Sequence, residues 1–222
     1  MNSRNRALSI YFAGDLFDAK DLGGNILLAD AIEQVSHGRY KIMLPQNGEC
    51  EVRCRTAKSI RDADFELLFN CDILLANFDG CDLDSGTVVE FCFAKMVDMP
   101  ALLLRTDFRN SGDHTLPDGD PWNLMCSHYP RTVVKHINGM SLYHKCKTEC
   151  ADKFLSEYYK EVAIEVVASL DDLLKHPSWL KHEETSIQYR MAVKSIGGSL
   201  AEVLTDKVIE ELTARKIAAG LY

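Results

Sequence analysis

Asp72-Ile-Leu-Leu-Ala-Asn77, then Phe-Asp-Gly-Cys-Asp-Leu, then Asp84-Ser-Gly-Thr-Val-Val-Glu90-Phe-Cys-Phe-Ala-Lys-Met-Val97: this stretch reads as strand, turn and helix in succession. The first run is continuously apolar and bounded by the turn residues Asp79 and Gly80, the pattern of a strand buried on both faces. From Thr87 to Val97 the apolar residues Val88, Phe91, Phe93 and Ala94 predict a helix. Strands of this kind separated by helices imply a parallel sheet covered on both faces, and such sheets bind ligands beyond the carboxyl ends of their strands.

The same alternation extends outward. Leu8 to Ala13 is an apolar run ending at Gly14, and after Gly23 and Gly24 a helical pattern covers Asn25 to His37. Lys41 to Leu44 is a second strand closed by Pro45, and Ser59 to Asn70 is helical. Downstream, Ala101 to Leu104 is a further strand, a Gly- and Pro-containing loop fills 105–126, and Thr132 to Ile137 closes the sheet. The loops 13–22, 77–86 and 105–126 then share one rim. Residues 148–175 read as one helix, and Ser199-Leu-Ala-Glu202 has the form of a capping box that opens another. The expected fold is a flavodoxin-like (Rossmann-like) α/β core over residues 1–140. A helical extension, 141–222, packs on that core or on a neighbouring subunit.

Composition narrows the function. With a formal net charge of −8 and no run of Lys or Arg longer than two, the chain is a poor match for a nucleic acid polymer. It lacks the roughly 18 consecutive apolar residues of a membrane span. The start has no long apolar stretch followed by small residues, so a cytoplasmic protein is expected. The eight cysteines include no Cys-x-x-Cys pair, and His144, Cys146 and Cys150 lack the usual zinc spacing, so the thiols are read as reduced and no metal is expected.

Chemistry concentrates between Asp79 and Glu90. Asp79, Asp82 and Asp84 lie in a Gly-punctuated loop, with Glu90 about one turn inside the helix, where the helix dipole is expected to favour its ionised form. A carboxylate held against a sugar can attack an anomeric carbon while a second acid serves the leaving group. Residue types alone favour Asp82 and Asp84 as helix caps and Glu90 as a solvated side chain.

Ile10-Tyr11-Phe-Ala-Gly14 with Phe17, and Asp72–Asn77 leading into Asp84-x-Gly86-x-x-x-Glu90, resemble the nucleoside 2-deoxyribosyltransferase family over about Leu8 to Met125. The resemblance implies that Glu90 is a nucleophile forming an ester with C1 of deoxyribose and that Tyr11 positions its carboxylate. It implies that Asp84 and Asp64 hold and protonate the nucleobase, that Gln46 contacts the base, and that Gly14, Phe17 and Gly86 lie along the substrate. Asn123 and Met125, in Asn-Leu-Met125, look like the element that reaches a neighbouring subunit's site, with the Asn on the sugar 5′-hydroxyl. An oligomer with shared sites, deoxynucleoside and free base as substrates, and no cofactor are what this resemblance implies. Related nucleotide hydrolases carry serines at the positions of Asp84 and Asn123. An aspartate at 84 repels a 5′-phosphate and favours the unphosphorylated nucleoside. An N-glycoside hydrolase and a non-catalytic nucleotide sensor stay open beside the transferase. Asp15 and Leu16 depart from the family's loop, and the chain runs well beyond the family's usual end before reaching Tyr222.

Overall fold

A computed structural model describes residues 6–48, 56–110 and 115–222. Cys50 and Cys54 lie outside them. Five strands form one parallel sheet in the order β2-β1-β3-β4-β5: β1 (Leu8–Ala13), β2 (Tyr40–Met43), β3 (Ile73–Asn77), β4 (Ala101–Arg105) and β5 (Thr132–His136). This is the flavodoxin-like α/β arrangement that the apolar runs imply.

Strand parity sorts the core. Ile10, Phe12, Ile73, Leu75, Leu102 and Leu104 pack with α1 (Ala19–Val35) and α5 (Phe154–Leu173). Tyr11, Ala13, Leu74, Ala76, Ala101 and Leu103 face the other layer, with α2 (Ala57–Asn70) and α3 (Ser85–Met96). Each large apolar side chain so buried contributes roughly 1.5–3 kcal/mol, and a one-residue slip of β1 would carry Tyr11 to the wrong layer. The order reverses between β1 and β3, so the loops after these strands diverge and leave a crevice at the rim.

Several expected boundaries shift. The first helix begins at Ala19, not Asn25, because the Asp18 side chain accepts hydrogen bonds from the Lys20 and Asp21 amides and caps it. Gly23 and Gly24 are therefore helical. A Cβ on Gly24 would lie 3.3 Å from the Tyr159 hydroxyl, so the glycine allows α1 close to α5. The single helix expected over 148–175 is two, α4 (Gly139–Cys150) and α5, joined by a 3₁₀ turn at Ala151–Lys153.

The extension differs most. A helix not anticipated from sequence, α6 (His182–Ile196), buries only Thr185, Tyr189, Ala192 and Val193, a stripe too narrow and too polar to stand out. Ser199 forms no side-chain cap. Only one turn follows it, α7 (Leu200–Val203), and the longer helix α8 (Asp206–Ala218) is capped by Thr205. Tyr189, Leu204, Ile209 and Leu212 join the core beside α2 and α3, with the Tyr189 ring edge-on to Phe69 at 5.5 Å.

The chain end is held beneath the sheet, opposite the rim. Lys216, fully buried, donates to the Cys71 carbonyl and the Tyr189 hydroxyl, and Arg131 donates to the Leu221 carbonyl and to Asp98. The Tyr222 hydroxyl donates to the Val97 carbonyl at 2.7 Å. Cys71, Val97 and Arg131 precede the N-terminal ends of β3, β4 and β5, so Tyr222 closes the base of the sheet. Among the described residues no helix is long and apolar enough to cross a membrane.

Candidate active site

The parity of β1 delivers Tyr11 to the α3 side of the sheet. Its ring is fully buried and its hydroxyl donates to Glu90 Oε1 at 2.5 Å, a short bond of the charge-assisted kind. Burial and the neighbouring Glu90 carboxylate raise the Tyr11 hydroxyl far above the usual tyrosine range, so it remains a neutral donor.

Glu90 corrects an expectation. The helix dipole does not keep its carboxyl in the ordinary range: burial raises it to about 7, the Tyr11 hydrogen bond opposes that rise, and the charges of Asp64 and Asp84 add to it. Glu90 is the sixth residue of α3, past the first turn where the dipole acts most strongly, and desolvation outweighs what remains.

Asp64 of α2 and Glu90 of α3 line one cavity of about 540 Å³. Its α2 wall is Ala57, Ile60, Arg61, Asp64 and Phe65, and its α3 wall is Ser85, Gly86, Val89 and Glu90. Asp64 is half-buried, and burial alone raises its carboxyl to about 6. The charge of Asp64 adds to the rise at Glu90, so the two carboxyls in this partly desolvated space resist ionising together. Among the described residues Arg61 is the one cation on the wall, and it is paired with Asp62 at 2.6 Å.

Asp84 is the N-cap of α3. Its Oδ2 accepts from the Thr87 amide at 2.7 Å and the Thr87 hydroxyl at 2.9 Å. The cap fixes the helix start six residues before Glu90. Gly86 follows it, and a Cβ there would lie 3.0 Å from Asp84 Oδ2, so a side chain at 86 would crowd the cap. Asp15 is raised by burial, then by the charges of Asp84, Asp21, Asp18 and Asp79, which marks the rim as strongly acidic.

Other expected residues lie outside the Glu90 cavity wall. Gln46 is braced toward α1, donating to the Leu22 carbonyl at 3.0 Å and accepting from Asn25 at 3.2 Å. Phe17 projects from the first loop, 76% exposed, and Gly14 packs where a Cβ would come within 3.2 Å of the Asn77 Cβ. Asn123 caps the turn Leu124–Cys126 by accepting from the Met125 amide, and Met125 is 70% exposed. These two line a neighbouring cavity of about 730 Å³ with Leu83, Val88 and Trp122. Ser85 and Val89 face both cavities.

Sequence reasoning missed Ile60 and Arg61, although Ala57, Ile60, Arg61 and Asp64 follow one helical face. It also missed the brace beneath the rim. Buried Arg105 donates to the carbonyls of Phe78, Gly80 and Arg109, while Asp79 accepts from the Thr106 amide and hydroxyl and the Asp107 amide. The loops after β3 and β4 are thus locked together ahead of Asp84. Among the described residues no three His, Cys, Asp or Glu side chains are grouped to hold a metal.

The family model described as nucleoside 2-deoxyribosyltransferase matches residues 10–125, just over half of the 222. No curated protein matches the chain at a significant level. Similar solved structures include a conserved protein from Enterococcus faecalis V583, 22% identical, covering 75% of this chain and 98% of that one at a TM-score of 0.47. A 2-desoxiribosyltransferase from Leishmania mexicana is 19% identical, covering 65% and 99% at 0.45. A 2-deoxyribosyltransferase from Bacillus psychrosaccharolyticus is 19% identical, covering 46% and 74% at 0.39.

Proposed function

Because the chain belongs to the nucleoside 2-deoxyribosyltransferase family, we propose that it transfers 2-deoxyribose between nucleobases of 2′-deoxynucleosides through a glycosyl-enzyme ester on Glu90. The observation that carries this reading is the Tyr11 hydroxyl on Glu90 Oε1, with Asp64 across the same cavity.

In the first step Glu90 Oε2 attacks C1′ while the N-glycosidic bond breaks. The base leaves with the bonding pair and takes a proton from Asp64 or Asp84. In the second step a nitrogen of the incoming base attacks C1′, that acid recovers a proton from it, and Glu90 departs as a carboxylate. Two inversions retain the configuration. Tyr11 holds Oε1, which leaves Oε2 for the sugar. The productive free form has Glu90 ionised and Asp64 protonated. With Glu90 near 7 and Asp64 near 6, it is the minor one-proton form, on the order of a tenth of the total. A base that accepts a hydrogen bond from protonated Asp64 draws the site into it.

The acidic rim and the engagement of Arg61 by Asp62 support an unphosphorylated substrate. The exposed Asn123–Met125 turn supports a role at a neighbouring subunit's site, whose contact would exclude water and favour a base over hydrolysis. Incubating the protein with a deoxynucleoside, with and without a second base, tests the proposal: a new nucleoside is expected, and free sugar in both mixtures would make it a hydrolase. Mass spectrometry of the native protein with substrate is expected to find a deoxyribosyl adduct on Glu90, and Glu90→Gln should abolish it and lower exchange by several orders of magnitude with the fold intact. Substantial exchange by this variant refutes the nucleophile assignment.

A further inference from the structure

Arg61 and Asp64 stand three positions apart on α2 and line the same cavity. Opposite charges at this spacing meet on a helix surface, whereas adjacent residues point apart. Arg61 nevertheless pairs with its neighbour: Nη2 and Nε donate to Asp62 Oδ1 at 2.6 and 3.1 Å.

The cause lies in the C-terminal extension. Among residues 57–63 of α2 only Asp62 is buried. Its other oxygen, Oδ2, accepts from the Ser199 amide and the Ser199 hydroxyl, both at 2.7 Å. These bonds and Arg61 hold the Asp62 carboxyl at about 2 against the opposing effect of burial. Gly197 and Gly198 bring Ser199 into place with φ of +68° and +72°. A Cβ on Gly198 would lie 2.3 Å from Arg61 Nη2 and 2.6 Å from both Asp62 oxygens, so only glycine lets the turn come this close.

We propose that the Gly197–Gly198–Ser199 turn, acting through Asp62, is a positioning element of the Glu90 cavity: it keeps the Arg61 guanidinium on Asp62 and off Asp64, which leaves Asp64 able to carry the proton exchanged with the nucleobase. The purpose given to Asp64 rests on the deoxyribosyl-transfer reading; the pairing does not. Among the described residues, the groups facing Asp64 are Glu90 from α3 and Tyr11 from β1, with Arg61 on its own helix. Of these only Arg61 could lower its carboxyl, and Asp62 withholds it.

The test is a carbon-detected titration of the Asp64 carboxyl in the full chain. The native midpoint is expected near 6. Asp62→Asn frees Arg61, and the midpoint should fall by roughly one to three pH units, the range of an Asp beside an Arg. Adding Arg61→Gln to that variant should return it to the native value, which a merely structural role for Asp62 would not predict. Ser199→Ala keeps the amide bond to Asp62 and should give a smaller fall, which supplies the test if Asp62→Asn does not fold. An unchanged midpoint, or a fall that Arg61→Gln does not reverse, overturns the proposal. Peak kcat/KM for base exchange should drop about tenfold for each pH unit that the midpoint falls. A moved midpoint in a protein that does not exchange bases would overturn the transfer reading and leave the positioning role standing.

Discussion

Tyr11→Phe removes one oxygen and keeps the ring that fills the core, so it isolates the hydrogen bond to Glu90. That bond is 2.5 Å long and lies between a neutral donor and a carboxylate. Hydrogen bonds to charged groups contribute roughly 1.5–3 kcal/mol, which at about 1.4 kcal/mol per pH unit should raise Glu90 from about 7 by a further one to two units. The sign follows from proton counts. Glu90 is raised above its ordinary value of 4.5, so between pH 4.5 and 7 the folded chain holds a proton that the unfolded chain has lost, and stability falls as pH rises through that window. In the variant the window extends upward. The extra loss, about 1.5–3 kcal/mol, should appear only above pH 7 and be absent near pH 4.5. Urea denaturation of both proteins at pH 4.5, 6 and 9, with unchanged m-values, measures it directly. The ionised fraction of Glu90 near pH 6 should also fall about 10- to 100-fold, with peak kcat/KM following it. Equal destabilisation at pH 4.5 and pH 9 would refute the view that the hydroxyl acts on the Glu90 carboxylate.

Base exchange by the native protein should follow a bell with breaks near pH 6 and 7, the values of Asp64 and Glu90. Asp64→Asn should lower the rate and remove the alkaline fall, leaving activity that rises with Glu90 ionisation; a retained bell would move the acid role to Asp84. Burial lowers Lys216 to about 7, so between that value and 10.5 the unfolded chain binds the extra proton and stability should rise with pH. Lys216→Met keeps the volume and should abolish that rise in denaturation measurements; an unchanged slope would show that Lys216 is charged in the fold. Gly24→Val should wedge α1 from α5 and cost about 1–3 kcal/mol of unfolding free energy, and a neutral effect would show that the contact with Tyr159 yields.

The strands were legible because each is a local apolar run, and the register follows once their parity is set. Helix limits were less legible. Asp18 reaches the Lys20 and Asp21 amides and starts α1 early, a local bond whose effect on Gly23 and Gly24 becomes clear only when Tyr159 is seen beside them. The helix α6 was missed because Thr185 and Ala192 supply two of its four buried positions, and neither signals a core alone. The motif singles out Glu90 as a candidate, but its raised carboxyl is not legible in the sequence, since the dipole can be inferred from its place in the helix and the burial cannot.

By itself, the amino-acid order determined a parallel α/β sheet, because periodicity is a property of short segments, and its resemblance to the family supplied the candidates Tyr11, Asp64, Asp84 and Glu90 for a site at the rim. Tertiary structure decided what those groups do to one another. Tyr11 meets Glu90 across 79 positions of chain, and Ser199 meets Asp62 across 137. Their desolvation and charge pairing depend on what the completed fold brings beside them. A carboxyl near 7, another near 6 and an arginine held by its neighbour are products of that packing.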